Sequence, residues 1–337
     1  MSSHLLPPKL QRRLLISVGL GVAIYFGLVL YVGFAEVREG FTRLSASWWV
    51  IPSACALAFL NYAVRFLKWE YYRELLGIRL PRSSSFLIYL SGFVLSVTPG
   101  KMGEVFKCYL IKRVDGTPFS RSAPIVVAER FTDLTGYLIL IAIGGVSTLH
   151  EARWVFFGTL LLIAALLALL FSPRLMYFLI GLTRRRTFIW RFTERLENAY
   201  QSARTLLAPR HLLLPTLIST VSWGCECVAF WLILSRFVPL DGAPVPDLLW
   251  ATFAFAFSAV VGALVLIVPG GLGITESSLG KLLVDKARFA RGDATAITLV
   301  ARACTLWFAV LVGYLALLLF VRRHGSVEAE LEAAQEL

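Results

Sequence analysis

Twice in this chain a long uncharged run ends in proline followed by glycine, and no other feature constrains the fold as much. The first break is Pro99-Gly100-Lys101-Met102-Gly103-Glu104; the second, 170 residues later, is Pro269-Gly270-Gly271-Leu272-Gly273-Ile274-Thr275-Glu276. Proline removes a backbone donor and glycine opens φ angles that a helix cannot use, so each run must break there. The match extends past the motif, because Glu104 to Arg130 and Glu276 to Arg302 are both 26 residues apart. Motif and spacing together predict a chain built twice.

Of the 337 residues 58% are hydrophobic and 16% charged, whereas a soluble domain carries about 25% charged residues. Uncharged runs cover 14–35, 44–64, 83–100, 134–149, 154–173, 248–275 and 303–321, and an eighth, 212–235, is interrupted only by Glu226. Most approach the roughly 20 residues that cross the hydrocarbon as a helix. The expected fold class is therefore an all-α polytopic membrane protein. Lys9, Arg12 and Arg13 precede a first run too long for a signal peptide core, so that run reads as a retained span.

With the N-terminus cytoplasmic and both breaks treated as hairpins that return to the side they left, 23 of the 33 lysines and arginines fall on the cytoplasmic side and 8 on the outer side. That bias supports the orientation, with both termini cytoplasmic. The net charge of +12 is explained by this placement, and nucleic acid is not an expected partner. The short arms after Glu104 and from Ser277 to Val284 cannot cross alone, so each break reads as a re-entrant hairpin, tolerated only inside protein or beside water. The alternative, long arms that cross fully and short arms at the interface, is favoured by the 28-residue run at 248–275.

With hairpins, each half has three spanning helices plus one re-entrant hairpin, and the halves have opposite orientation. The expected divisions are a cytoplasmic N-terminus at 1–13, a first membrane repeat at 14–149 with its hairpin at about 83–113, a second repeat at 150–321, and a cytoplasmic tail at 322–337. The second repeat holds an interfacial amphipathic segment at 174–210 and a hairpin at about 248–285. Inverted repeats with broken helices at their interface are the architecture of secondary transporters.

Ionisable residues at membrane depth are costly and mark function by default. Arg65, Lys101, Arg130 and Arg302 suit an anionic head group, with Asn61 on the same helix face as Arg65. Glu104, Glu129, Asp133, Glu226 and Glu276 are the counter-charges or proton carriers. Pro99, Gly100, Gly103, Pro269, Gly270, Gly271 and Gly273 form the breaks. A second reading of Glu104 with Arg130 and Glu276 with Arg302 is buried ion pairs that pin each hairpin to the following span. For Arg65 it is snorkelling toward an interface near the end of the second span. Trp48, Trp49 and Trp69 read as interface-belt aromatics.

Signals of catalysis are absent from the sequence. There is no nucleotide-binding G-x-x-x-x-G-K-[ST] loop, since Gly280-Lys281 is followed by Leu282, and no nucleophile with its base. The four histidines and five cysteines show no ligand spacing, so neither a metal nor a cofactor is expected. Asp241 and Asp247, on the outer loop, are a weak carboxylate pair for a glycosyltransferase.

Asn61-x-x-x-Arg65-x-x-Lys68-Trp69, the first break, Glu129-Arg130-x-x-Asp133 and the second break, in that order, resemble the lysylphosphatidylglycerol synthase transmembrane region, or flippase-like, family. The resemblance covers about Leu14 to Val321. It implies a bacterial inner-membrane protein that moves a lipid between leaflets, and, because no soluble lysyl-transferring domain follows, translocation without synthesis. The lipid partners it implies are phospholipid, polyprenyl-phosphate or hopanoid-type. The expected function is thus a lipid translocase and not an enzyme; the alternative is a non-catalytic membrane subunit that scaffolds a lipid-modifying glycosyl- or acyltransferase.

Overall fold

The computed structural model describes residues 8–98, 102–145, 193–265 and 269–324, with positions 154, 157, 158, 160 and 161 between them. Among the described residues the chain is helical and contains no strand. In order run α1 (Pro8–Val32), α2 (Phe34–Ser45), α3 (Val50–Leu75), α4 (Arg82–Ser91), α5 (Met102–Asp115), α6 (Phe119–Gly144), α7 (Thr193–Leu206), α8 (Pro209–Leu234), α9 (Leu248–Leu264) and α10 (Ile274–Asp285). Then come α11 (Arg291–Arg302), a π turn at Ala303–Trp307 and α12 (Phe308–His324), which form one 34-residue helix.

Among the described residues four helices are long and apolar enough to cross a membrane: Leu14–Val32, Val50–Leu75, Pro209–Leu234 and Arg291–His324. Together with the large hydrophobics exposed along α1, α3, α8 and α12, they make this a membrane protein. The central helix is α8, which packs against α3, α6, α9 and α11. Ser219, Ser222, Glu226, Ala229, Phe230 and Ile233 are among its buried positions, recurring at three and four residues along one face.

Element boundaries depart from the apolar runs in an instructive way. The uncharged run predicts the second helix over 44–64, but α3 begins at Val50 and continues to Leu75, eleven residues past the end of that run. The residues that would end it, Arg65, Lys68 and Arg73, are buried. Likewise α6 starts at Phe119, not near Leu134, so Glu129, Arg130 and Asp133 sit in its middle. The last helix starts at Arg291, twelve residues before the expected Ala303. Charge marks a helix end only where it meets water, and here it is neutralised inside the protein: Arg65 and Lys68 by Asp133 of another helix, Arg73 by Glu70 of its own. Trp69 is a further correction: it is fully buried and its indole N–H donates to Ser85 Oγ at 3.0 Å, so it is not an interface aromatic.

Both breaks lie between short helices. α4 packs against α5, and α9 packs against α10 and the turn at Pro269–Gly271. At 1.5 Å per residue α4 is about 15 Å long and α10 about 18 Å, each well short of about 30 Å of hydrocarbon. Gly270, Gly271 and Gly273 have φ of 60°, 67° and 81°, which explains why the second break needs three glycines. The run at 154–173, apart from the isolated positions, and the amphipathic segment as far as residue 192 lie outside the described residues. The rest of that segment is α7, which packs on α6 with Tyr200 and Leu206 buried. Asp241 pairs with Arg288 at 2.6 Å on the surface, and Asp247 caps α9 by accepting from the Trp250 amide at 2.8 Å; both aspartates are thereby given local structural duties.

α2, not marked by any apolar run, lies along α11. Its contact is built from small residues: a Cβ on Gly292 would stand 2.5 Å from the Glu36 carbonyl oxygen, and one on Gly40 would stand 2.8 Å from the Ala296 Cβ. Arg43 pairs across the same contact with the buried Asp293. Gly292→Ala is expected to cost about 1–3 kcal/mol by overpacking, read as a lower melting temperature in detergent. Gly19→Ala, with open space around it, should not lower it.

Candidate functional site

Among the described residues two groups of buried charges stand out, apart from the pair Lys107–Glu129. The first is centred on Asp133 of α6, which is 2% exposed. Its Oδ2 accepts from Arg65 Nη2 at 2.9 Å, and its Oδ1 accepts from Lys68 Nζ at 2.6 Å, Ser219 Oγ at 3.0 Å and Trp223 Nε1 at 3.1 Å. Arg65 and Lys68 are three apart on α3, and Ser219 and Trp223 four apart on α8, so each pair shares a helix face. Two buried cations therefore share one carboxylate.

The two cations are used differently. Lys68 Nζ also reaches Ser219 Oγ at 2.7 Å and Thr132 Oγ1 at 3.3 Å, which accounts for all three of its protons. Arg65 lies over the Trp223 ring at 4.6 Å and keeps a buried Nε–H with no hydrogen-bond partner. Asn61 Nδ2 donates to the Ser222 carbonyl at 2.8 Å, and its Oδ1 is likewise without a partner. Arg130 is half-buried and within the electrostatic reach of Arg65 and Asp133. Snorkelling does not describe Arg65, since it turns inward to Asp133 ten residues before α3 ends.

Beside this group, Lys107 of α5 pairs with Glu129 of α6 at 2.6 Å, with the ammonium 4.6 Å from the Trp69 ring centre and 5.4 Å from that of Tyr89. A lysine in so short an arm argues for a place in water, yet Lys107 is 3% exposed and fastens α5 to α6. Glu129 Oε1 has no hydrogen-bond partner.

The second group is at the second break. Glu276 Oε1 accepts from Arg302 Nε at 2.6 Å and from the Tyr25 hydroxyl at 3.1 Å, and Oε2 accepts from the Gly273 amide at 2.6 Å. Arg302 Nη2 donates to the Gly270 carbonyl at 2.9 Å. The 26-residue spacing is thus an ion pair that ties the break to the helix that follows it. A π turn begins at the next residue, and Tyr62 of α3 donates to its Thr305 carbonyl at 2.9 Å; such turns recur at functional sites.

Glu226 of α8 lies between the groups. It is 6% exposed, feels Arg65, Asp133 and Arg302 electrostatically, and has no hydrogen-bond or ion-pair partner among the described residues. Of the expected site residues, then, the structure joins Arg65 with Asp133, gathers Asn61 and Arg130 near them, and joins Glu276 with Arg302. Pro99, Gly100, Lys101 and the Glu104 side chain lie outside the described residues, while Gly103 falls in the first turn of α5. Sequence reasoning misses Lys68, Lys107, Ser219, Trp223 and Tyr25 as site residues. Lys68, Ser219 and Trp223 carry a signal, helical spacing to Arg65 and to Glu226; Tyr25 carries none. No group of metal-ligating side chains occurs among the described residues.

The chain matches the family model described as Lysylphosphatidylglycerol synthase TM region over residues 16–313. No curated protein matches it.

Proposed function

The chain belongs to the lysylphosphatidylglycerol synthase TM region family, and on that premise we propose that it moves an anionic, phosphate-bearing lipid between the leaflets of a bacterial inner membrane. The observation that carries this reading is the arrangement around Asp133, where Arg65 keeps a buried donor uncommitted while Lys68 neutralises the same carboxylate. A guanidinium held this way can take a phosphate oxygen without leaving Asp133 unpaired. Its position supports translocation, since Arg65 and Asp133 come from the first half of the chain and Ser219 and Trp223 from the second. In this reading the halves are inverted repeats, the short helices at the breaks are re-entrant arms, and the halves rock about the breaks to present the head group to either leaflet.

Arg65, Arg130, Lys101 and Arg302 attract the phosphate, and Glu276, Glu104 and Glu226 compete with it for the same cations. With no nucleotide site in the sequence, net movement draws on a proton gradient or on consumption of the lipid downstream. The test is transbilayer movement of labelled phosphatidylglycerol and polyprenyl phosphate in proteoliposomes. Arg65→Met should abolish movement while keeping most of its stability, because Lys68 still neutralises Asp133. If wild-type protein moves neither lipid, with or without a proton gradient, translocation is wrong and the scaffold reading takes its place.

A further inference from the structure

α1 is attached to the rest of the protein along one narrow stripe. Ser17 and Gly21 are buried and Leu14, Val18, Ile24, Tyr25, Leu28 and Val29 are partly buried, whereas Leu15, Ile16, Val22, Phe26 and Leu30 are each about 60% exposed or more. The stripe recurs every three to four residues, so one face of α1 meets protein and the remainder meets lipid. That face packs on α11 and reaches the second break through side chains. A Cβ on Gly21 would stand 2.8 Å from the Trp307 ring and 3.3 Å from Leu272, and one on Gly273 would stand 3.7 Å from Ile24. Tyr25 meets Trp307 edge to face at 6.1 Å and donates its hydroxyl to Glu276, the carboxylate that holds Arg302.

Two features would let α1 swing off α11 and the second break while α2 stays in place. It joins α2 through Gly33, whose φ of 111° lies outside the range other residues favour, so the joint can change direction at small cost. Beyond that joint α2 is fixed to α11 by the Gly40–Gly292 contact and the Arg43–Asp293 pair. Movement about Gly33 would therefore carry α1 away while α2 stays.

We propose that α1 is a lateral gate, and that its displacement at Tyr25 lets the phosphate of a membrane lipid reach Arg302 directly from the bilayer. The gate rests on the translocation reading for its purpose. With Tyr25 withdrawn, Glu276 keeps the bonds it accepts from Arg302 Nε and the Gly273 amide, the phosphate accepts from the remaining N–H donors of the Arg302 guanidinium, and Trp307 and Leu272, uncovered by Gly21, face the acyl chains. Access from the hydrocarbon side explains why a tyrosine covers this pair: the aromatic body suits lipid, and the hydroxyl supplies one breakable bond to a charged acceptor.

Two measurements test the gate. In protein whose five native cysteines are replaced, Tyr25→Cys with Trp307→Cys is joined by a reducible thiol cross-linker. Lipid movement should stop on cross-linking and return on reduction; movement that continues at the same rate overturns the gate while leaving translocation intact. The second measurement needs no transport: hydrogen exchange of the backbone amides at 271–276 in phosphatidylglycerol vesicles, in phosphatidylcholine vesicles, and in phosphatidylcholine with inorganic phosphate added. Phosphatidylglycerol alone should raise exchange in wild type, and Tyr25→Phe should raise it roughly tenfold in all three, the effect of losing one hydrogen bond to a charged group. No change in Tyr25→Phe overturns the gate even if wild type moves no lipid, and an equal rise with inorganic phosphate overturns the lateral route in favour of access from water.

Discussion

Asp133→Ala is expected to destabilise the protein by about 3–5 kcal/mol, the cost of removing one partner from a buried ion pair. The carboxylate takes hydrogen bonds from Arg65 and Lys68 of α3 and from Ser219 and Trp223 of α8, and it balances both cations. Its loss leaves two cations in the interior and frees the Trp223 indole, so α3, α6 and α8 lose their shared centre. The variant should accumulate poorly and melt far below wild type in detergent, while Arg65→Met, which leaves Lys68 on Asp133, should melt close to it. A normal melting temperature for Asp133→Ala would show that water or lipid reaches the cluster and that its partners are not buried in the membrane.

The second large effect concerns Lys107 and Glu129. Lys107→Met should cost a similar amount, about 3–5 kcal/mol, because Glu129 would remain as a lone carboxylate in the interior. Its Oε1 already lacks a hydrogen-bond partner, and the cations that feel its charge, Arg65 and Lys68, are committed to Asp133. Combining Lys107→Met with Glu129→Leu should recover most of the loss, because two apolar side chains of similar volume carry no desolvation penalty. A double variant whose destabilisation equals the sum of the two single effects would mean the residues do not act as a pair. If the double variant also moves lipid normally, the pair only fastens α5 to α6, and Glu129 is neither a counter-charge nor a proton carrier.

The second break is the most legible part of the site. Pro269, the three glycines and the 26 residues from Glu276 to Arg302 are local facts about backbone freedom and helix length, and the structure shows the pair they imply. Helix ends are legible only where charge meets water. α3 runs through Arg65 and Lys68 because Asp133, which neutralises both, lies 68 and 65 residues further along the chain. α6 runs through Glu129 because Lys107, 22 residues before it, folds back onto it. A window of sequence cannot see such a partner.

The sequence by itself determined that the chain is helical and membrane-embedded and that it breaks twice, from composition and from proline and glycine geometry; for Glu276 and Arg302 its spacing offered an ion pair as one of two readings, which the structure then showed. Tertiary structure alone decided which carboxylate each cation serves. It set Lys68 and Arg65 on one aspartate, placed Glu226 within reach of both charged groups, and put Tyr25 of α1 over the second break. The physical reason is that charge neutralisation in a low-dielectric interior depends on distance in space, and distance along the chain is silent about it.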